Sequence, residues 1–223
     1  MRHLLIILLL FSASTAVAEE RPADDLGQKF LDAMGGAEVW KEAKFIRNWA
    51  VNWNPERRPG PYSHEYWFGL TEKKQHIELK SQWVDLRIAY DEKQGWRQEG
   101  DVLTIFDEEA LAGWHHDWNT SLYRKIYLLA IGDPSLKLTT EDGKKVHFTY
   151  AGDYAGWIEI ADDGAPVRLG GSRDNDRHVV FQPLVSFGPV SWPRGGADQS
   201  GWRFEILKVE LADDAPVSFQ PPE

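Results

Sequence analysis

Phe45-Ile46-Arg47-Asn48-Trp49-Ala50-Val51-Asn52-Trp53 is the stretch on which the fold turns. Phe45, Arg47, Trp49, Val51 and Trp53 share one face, and Ile46, Asn48, Ala50 and Asn52 share the other. Successive side chains of a strand point to opposite faces, so this alternation marks a β-strand. Asn54-Pro55 through Pro59-Gly60-Pro61 is a turn cluster. The alternation then resumes, with His64, Tyr66 and Phe68 against Glu65 and Trp67. Further strands are expected at 75–79, 84–90, 95–98 and 102–106. Short strands at about ten-residue spacing, separated by turn residues, predict a continuous antiparallel sheet.

Working outward, Leu26, Phe30, Leu31 and Met34 recur at helical spacing before this run. Asp24 or Asp25 is placed to cap that helix and Gly35-Gly36 to end it. Trp40 falls in a short second turn over 37–43. After the strands, Asp107 is placed to cap a helix reaching to about Trp118, and Thr120 or Ser121 to cap another. Leu122, Ile126, Leu129 and Ala130 line one face of the latter, and Gly132-Asp133-Pro134 stops it. Strands resume at 136–139, 145–150, 157–160, 166–169, 178–181 and 202–211. Glu141-Asp142-Gly143 and Asp162-Asp163-Gly164 are hairpin turn signals. Residues 186–201 read as a long Pro/Gly-rich loop around Trp192, of a length suited to gating a cavity. The pattern is that of one α+β domain: about ten or eleven short antiparallel strands with helices at the start and middle.

Composition narrows the chemistry. The chain has 223 residues, no cysteine, 11 tryptophans and a formal charge of -10. Without cysteine there is no disulfide, thiolate metal site, cysteine nucleophile or lipidated cysteine. The acidic balance argues against a nucleic-acid partner, which calls for a basic footprint. Arg2 and His3, the apolar run Leu4 to Phe11, and Ala16-Val17-Ala18 have the three-part layout of a secretory signal cleaved near Ala18. That run is too short to span a bilayer. A signal peptide over 1–18, a single domain over 19–223 and a periplasmic or secreted address are therefore expected.

Three local patterns resemble one family. They are Phe30-Leu31-Asp32-Ala33-Met34-Gly35-Gly36 before the first strand, Tyr66-Trp67-Phe68 followed by Ile88-Ala89-Tyr90-Asp91-Glu92-Lys93-Gln94-Gly95-Trp96, and Phe204-Glu205-Ile206 with a closing Phe219-Gln220-Pro221-Pro222. Together they resemble the LolA-like fold of periplasmic lipoprotein carriers and outer-membrane lipoprotein-sorting proteins. The resemblance implies a single curved antiparallel sheet, an unclosed β-barrel, with N-terminal and mid-chain helices covering its concave face. It implies an apolar cavity for acyl chains and a lipid or lipidated protein as partner. Each buried methylene contributes about 0.8 kcal/mol, so a lipid crossing water needs such an escort. One departure is plain: Lys73 and Lys74 stand where the best-known carriers place an arginine that tethers the helical lid. Lysine does not reproduce the planar guanidinium fork.

The candidate ligand-binding residues are Arg47, Trp49, Trp53, Trp67 and Trp96. The tryptophans can line a cavity or simply pack, and Arg47 can meet a head group or stack on tryptophan at the surface. Trp114-His115-His116-Asp117-Trp118 is the run with most chemistry in it. Neighbours on a helix diverge by about 100°, so the two histidines are badly placed to share one metal ion, and no metal is expected. No nucleophile elbow, phosphate loop, zinc-protease or dinucleotide motif is present, so no catalytic residue or cofactor is assigned. Three readings stand. The first is a monomeric, non-enzymatic binding protein for a lipid or lipidated protein. The second is a secreted hydrolase using His115 or His116 with nearby acids. The third is a sensor or interaction module binding an envelope protein.

Overall fold

The computed structural model describes residues 23–56, 59–173 and 177–222, and the expected export segment lies outside them. The elements in chain order are α1 (Ala23–Ala33), α2 (Ala37–Trp40), β1 (Phe45–Trp53), β2 (Tyr62–Gly69), β3 (Gln75–Ser81), β4 (Val84–Tyr90), β5 (Gly95–Glu99) and β6 (Val102–Ile105). They continue with α3 (Glu108–Thr120), α4 (Leu122–Ile131), β7 (Leu136–Thr140), β8 (Lys145–Tyr150), β9 (Asp153–Ile160), β10 (Pro166–Gly170) and β11 (His178–Phe181). The last four are β12 (Leu184–Phe187), β13 (Val190–Pro193), β14 (Gly195–Asp198) and β15 (Arg203–Ala212).

All the strands except β12 and β13 form one antiparallel sheet, ordered β6-β5-β4-β3-β2-β1-β15-β14-β11-β10-β9-β8-β7. It is curved but not closed, since β6 and β7 each pair on one side among the described residues. The long strand β15 joins the two wings by pairing with β1 from Phe45↔Ala212 to Trp53↔Arg203. A bulge between Trp49 and Ala50 leaves Leu207 unpaired and exposed.

The sheet holds 13 strands. β12, β13 and β14 fall within or beside the stretch expected to be a loop, and this is a correction. Leu184 pairs with Pro193 and Phe187 with Val190, so β12 and β13 form a hairpin apart from the main sheet. β14 is a strand in spite of its glycines because it runs against Phe204. A Cβ on Gly195 would lie 2.3 Å from the Phe204 carbonyl oxygen, so only glycine fits that approach.

The helices follow their signals. Asp107 accepts a hydrogen bond from the Ala110 amide at 2.8 Å and caps α3. Ser121, of the two candidates, caps α4, and Gly132 closes it in the left-handed region at φ 62°. Asp24 and Asp25 lie inside the first turn of α1, where negative charge suits the helix dipole. Phe30 and Met34 of the α1 segment, Ile126 of α4, Ile46 of β1 and Phe148 of β8 are completely buried in one core on the concave face. Each such side chain contributes about 1.5–3 kcal/mol by leaving water. α3 is pinned by two tryptophans one turn apart: Trp118 donates to the Gly69 carbonyl at 2.7 Å, and Trp114 stacks on Phe106.

The opposite, outer face is crossed by the C-terminal tail. Phe219 stacks on Phe45, and its carbonyl accepts from Trp96 Nε1 at 3.1 Å. Gln220 bonds Gln94.

Candidate functional site: a cavity on the concave face

β1 turns Ile46, Asn48, Ala50 and Asn52 toward the helices, and these four are buried while their odd-numbered neighbours are half-buried. Pairing of β1 with β2 sets His64 opposite Ala50, on the same face. Asn48, Ala50, Asn52 and His64 form one wall of a cavity of about 220 Å³. Phe204 and Ile206 of β15, and Leu169, Val179 and Phe181 of β10 and β11, continue the wall. Leu122 and Tyr123 at the start of α4, with Trp192 of the β12–β13 hairpin, close it from above. Tyr123 and Trp192 stack at 5.0 Å with their planes 7° apart, and Trp192 also meets Trp40 at 6.0 Å. The hairpin therefore acts as part of the roof.

The roof helix is held by its own polar groups. The Arg124 guanidinium donates to the Leu70 carbonyl at 2.5 Å and to Tyr150 Oη at 3.3 Å, and lies over the Trp118 ring. Lys125 is buried and donates to the Thr120 carbonyl, and burial pushes its amine down to about 7.

Polar groups in the cavity wall, like Arg124 Nε of the roof helix, are not all paired among the described residues. Asn48 Nδ2 donates to Tyr123 Oη. Asn48 Oδ1, Asn52 Nδ2 and His64 Nε2 are buried without a hydrogen-bond partner among the described residues. Each such atom costs about 1–3 kcal/mol when left unsatisfied, and buried polar groups in native proteins are mostly paired. Burial lowers the His64 imidazole to about 4, so it is neutral at neutral pH. Burial raises the Tyr123 phenol, which keeps its proton. Among the described residues no Asp, Glu, Lys or Arg lines this cavity. A cavity of about 150 Å³ already accommodates one aromatic ring. The site thus has room for a small apolar body, with uncharged polar groups in its wall.

A second, more open cleft of about 410 Å³ shares Leu122, Leu169 and Val179 with the first. Its other walls are Thr120, Ser121, Gly170, Gly171, Ser172, Arg177, His178 and Asp198. The two hollows are neighbours on either side of these three residues.

The residues expected to bind ligand lie elsewhere. Arg47, Trp49 and Trp53 point to the outer face of β1, and register carries Trp67 and Trp96 onto that same face through His76 and Ala89. Arg47 lies over the Trp49 ring at 3.3 Å and pairs with Glu65. Trp67 donates to Glu65, Trp96 is covered by the tail, and Trp53 meets Arg203. None of the five lines the concave cavity. Alternation tells which residues share a face, but not which face the helices cover. The tail makes the outer face look like a core.

His115 Nε2 bonds the Asp91 carbonyl at 2.9 Å and packs on Tyr90, away from the cavity. Among the described residues no three His, Asp or Glu side chains gather in a metal-binding group. No helix among them is long and apolar enough to cross a membrane. The site's polar residues escaped the sequence reading because Asn48 and Asn52 look like a solvent face. The one signal pointing the other way is that they alternate with Ile46 and Ala50, which have no reason to face water.

No family model and no curated protein matches the chain. Among solved structures, the crystal structure of a LolA superfamily protein from Nitrosomonas europaea superimposes with a TM-score of 0.47 at 9% identity, covering 87% of this chain and 96% of that one.

Proposed function

We propose that this is an exported, non-enzymatic binding protein that shelters one small hydrophobic molecule, or one acyl chain of a lipid or lipidated partner, in the concave cavity. The observation that carries the reading is the 220 Å³ hollow walled by Ala50, Leu122, Tyr123, Trp192, Phe204 and Ile206. Sites for small ligands are concave, mostly apolar and equipped with a few polar groups, and this one has that make-up. Export rests on the signal-like residues 1–18, whose layout supports an address in the periplasm or outside the cell. The protein works as a monomer in this reading.

The test is equilibrium binding of the neutral fluorophore N-phenyl-1-naphthylamine. The wild-type protein is expected to bind one equivalent with a blue shift and enhanced emission. Val179→Trp puts a large ring where the cavity meets the open cleft, and this variant is expected to lose binding while keeping its circular dichroism. Equal binding by both proteins would remove the cavity from the account.

A further inference from the structure

The main sheet ends in β7 on one side and β6 on the other, and the two edges differ. β7 carries the exposed Lys137, and its Leu138 packs under α1, where a Cβ on Gly27 would lie 2.5 Å from Leu138 Cδ1. A lysine and a covering helix both keep a strand edge from pairing further. β6, Val102-Leu103-Thr104-Ile105, has no charged residue, and all four of its residues are exposed. The Phe106 amide donates to the Gly95 carbonyl at 2.8 Å. Hydrogen-bonded residues alternate along an antiparallel pair, so Val102 and Thr104 also turn their backbone groups to β5. Leu103 and Ile105 turn theirs outward, to the open edge. The charge around this edge has one sign. Asp101 precedes β6, Asp107, Glu108 and Glu109 follow it, and all four are exposed. The chain has no lysine or arginine between Arg97 and Arg124. A second copy is therefore disfavoured as the neighbour: paired antiparallel about Thr104, Asp101 of one copy would oppose Asp107 of the other.

We propose that the open edge of β6 docks an extended segment of a partner protein, apolar in its middle and bearing lysine or arginine at both ends, which adds a strand to the sheet. Leu103 and Ile105 exchange backbone hydrogen bonds with the segment. The side chains of Val102, Leu103 and Ile105 leave water against its apolar residues. Its basic ends meet Asp101 on one side and Asp107, Glu108 and Glu109 on the other, which sets the choice of partner. None of these residues lines the concave cavity, so the docking edge and the carrier reading stand or fall separately.

The experiment is fluorescence anisotropy with a fluorescein-labelled, end-capped peptide that holds Val-Thr-Val-Thr-Val between two pairs of lysine. The wild-type protein is expected to bind it about tenfold more tightly than the same peptide with glutamate in place of lysine, and more weakly as salt rises. Leu103→Pro removes an outward N–H and leaves the bonds to β5 in place. This variant is expected to keep its circular dichroism and to bind the lysine peptide about tenfold more weakly. Should proline disturb the strand, the lysine peptide N-methylated at its five central residues is offered to the wild-type protein, with the same loss expected. Absence of binding, equal binding of the lysine and glutamate peptides, or equal binding of the N-methylated and unmodified peptides would overturn the proposal. A wild-type dimer in sedimentation that Leu103→Pro dissociates would overturn it in favour of a second copy.

Discussion

On the outer face of β1 a single carboxylate gathers everything around it. Glu65 accepts from Arg47 Nε at 2.9 Å and Nη2 at 2.6 Å, from Trp49 Nε1 at 3.0 Å and from Trp67 Nε1 at 3.1 Å. Glu210 stands 3.8 Å from Arg47, and Lys208 lies over the Trp49 ring. On the inner face of the same strand, Asn48 and Asn52 are more deeply buried and each retains an unpaired atom. The Glu65 carboxylate is thus engaged within the chain, while the buried His76 Nδ1 on the same face has no partner among the described residues. The inner set lies in the wall of the concave hollow.

The comparison predicts opposite signs for similar substitutions. Glu65→Leu strands a guanidinium and two indole N–H groups. It should lower unfolding stability by about 2–3 kcal/mol in urea titrations, with fluorophore binding unchanged in the folded protein. A smaller loss would mean the outer cluster is surface decoration. His64 gives a pH signature. Burial depresses it from 6.5 to about 4. Above pH 6.5 the ring is neutral folded or unfolded. As pH falls from 6.5 toward 4 only the unfolded chain takes up the proton, so stability is lost across that window. His64→Phe should remove about 2 kcal/mol of that loss when both proteins are unfolded at pH 7 and pH 4.5. An identical pH profile in the two proteins would mean that His64 is hydrated. Asn52→Leu should act in the reverse direction to Glu65→Leu, raising stability by about 1 kcal/mol because it deletes an unpaired buried group. Destabilisation instead would show that Asn52 is satisfied within the apo protein.

The outer cluster also has a distinct titration. Burial alone would raise the Glu65 carboxyl, but hydrogen bonds from Arg47 and Trp67, the Arg47 charge and the Trp49 bond outweigh it and hold the group below its usual range. The stability it contributes is present at neutral pH and is lost as acid approaches that lowered value. His64 therefore weakens the fold earlier in an acid titration than Glu65 does.

How much of this was legible in the sequence depends on the element. The strand at 45–53, the caps at Asp107 and Ser121 and the turn at Gly132 were readable because each depends on local chemistry. The hairpin of β12 and β13 was hidden by its Pro and Gly content. Its stability comes from Trp192 packing on Tyr123 and Trp40, contacts remote in sequence. The expected ligand-binding residues fall outside the concave cavity for a related reason. Arg47, Trp49 and Trp53 share a face as expected from alternation, and register adds Trp67 and Trp96, but the tail packs on that face at Phe45 and Trp96 and the helices cover the other. Only the tertiary fold shows that Asn48, Asn52 and His64 meet an apolar hollow.

The most direct measurement is the set of intermolecular nuclear Overhauser effects from bound N-phenyl-1-naphthylamine in isotope-labelled protein. The account predicts contacts to the Ala50 and Ile206 methyl groups and to the Tyr123 and Trp192 rings. Contacts to Trp49 and Trp67 instead would place binding on the outer face and contradict it.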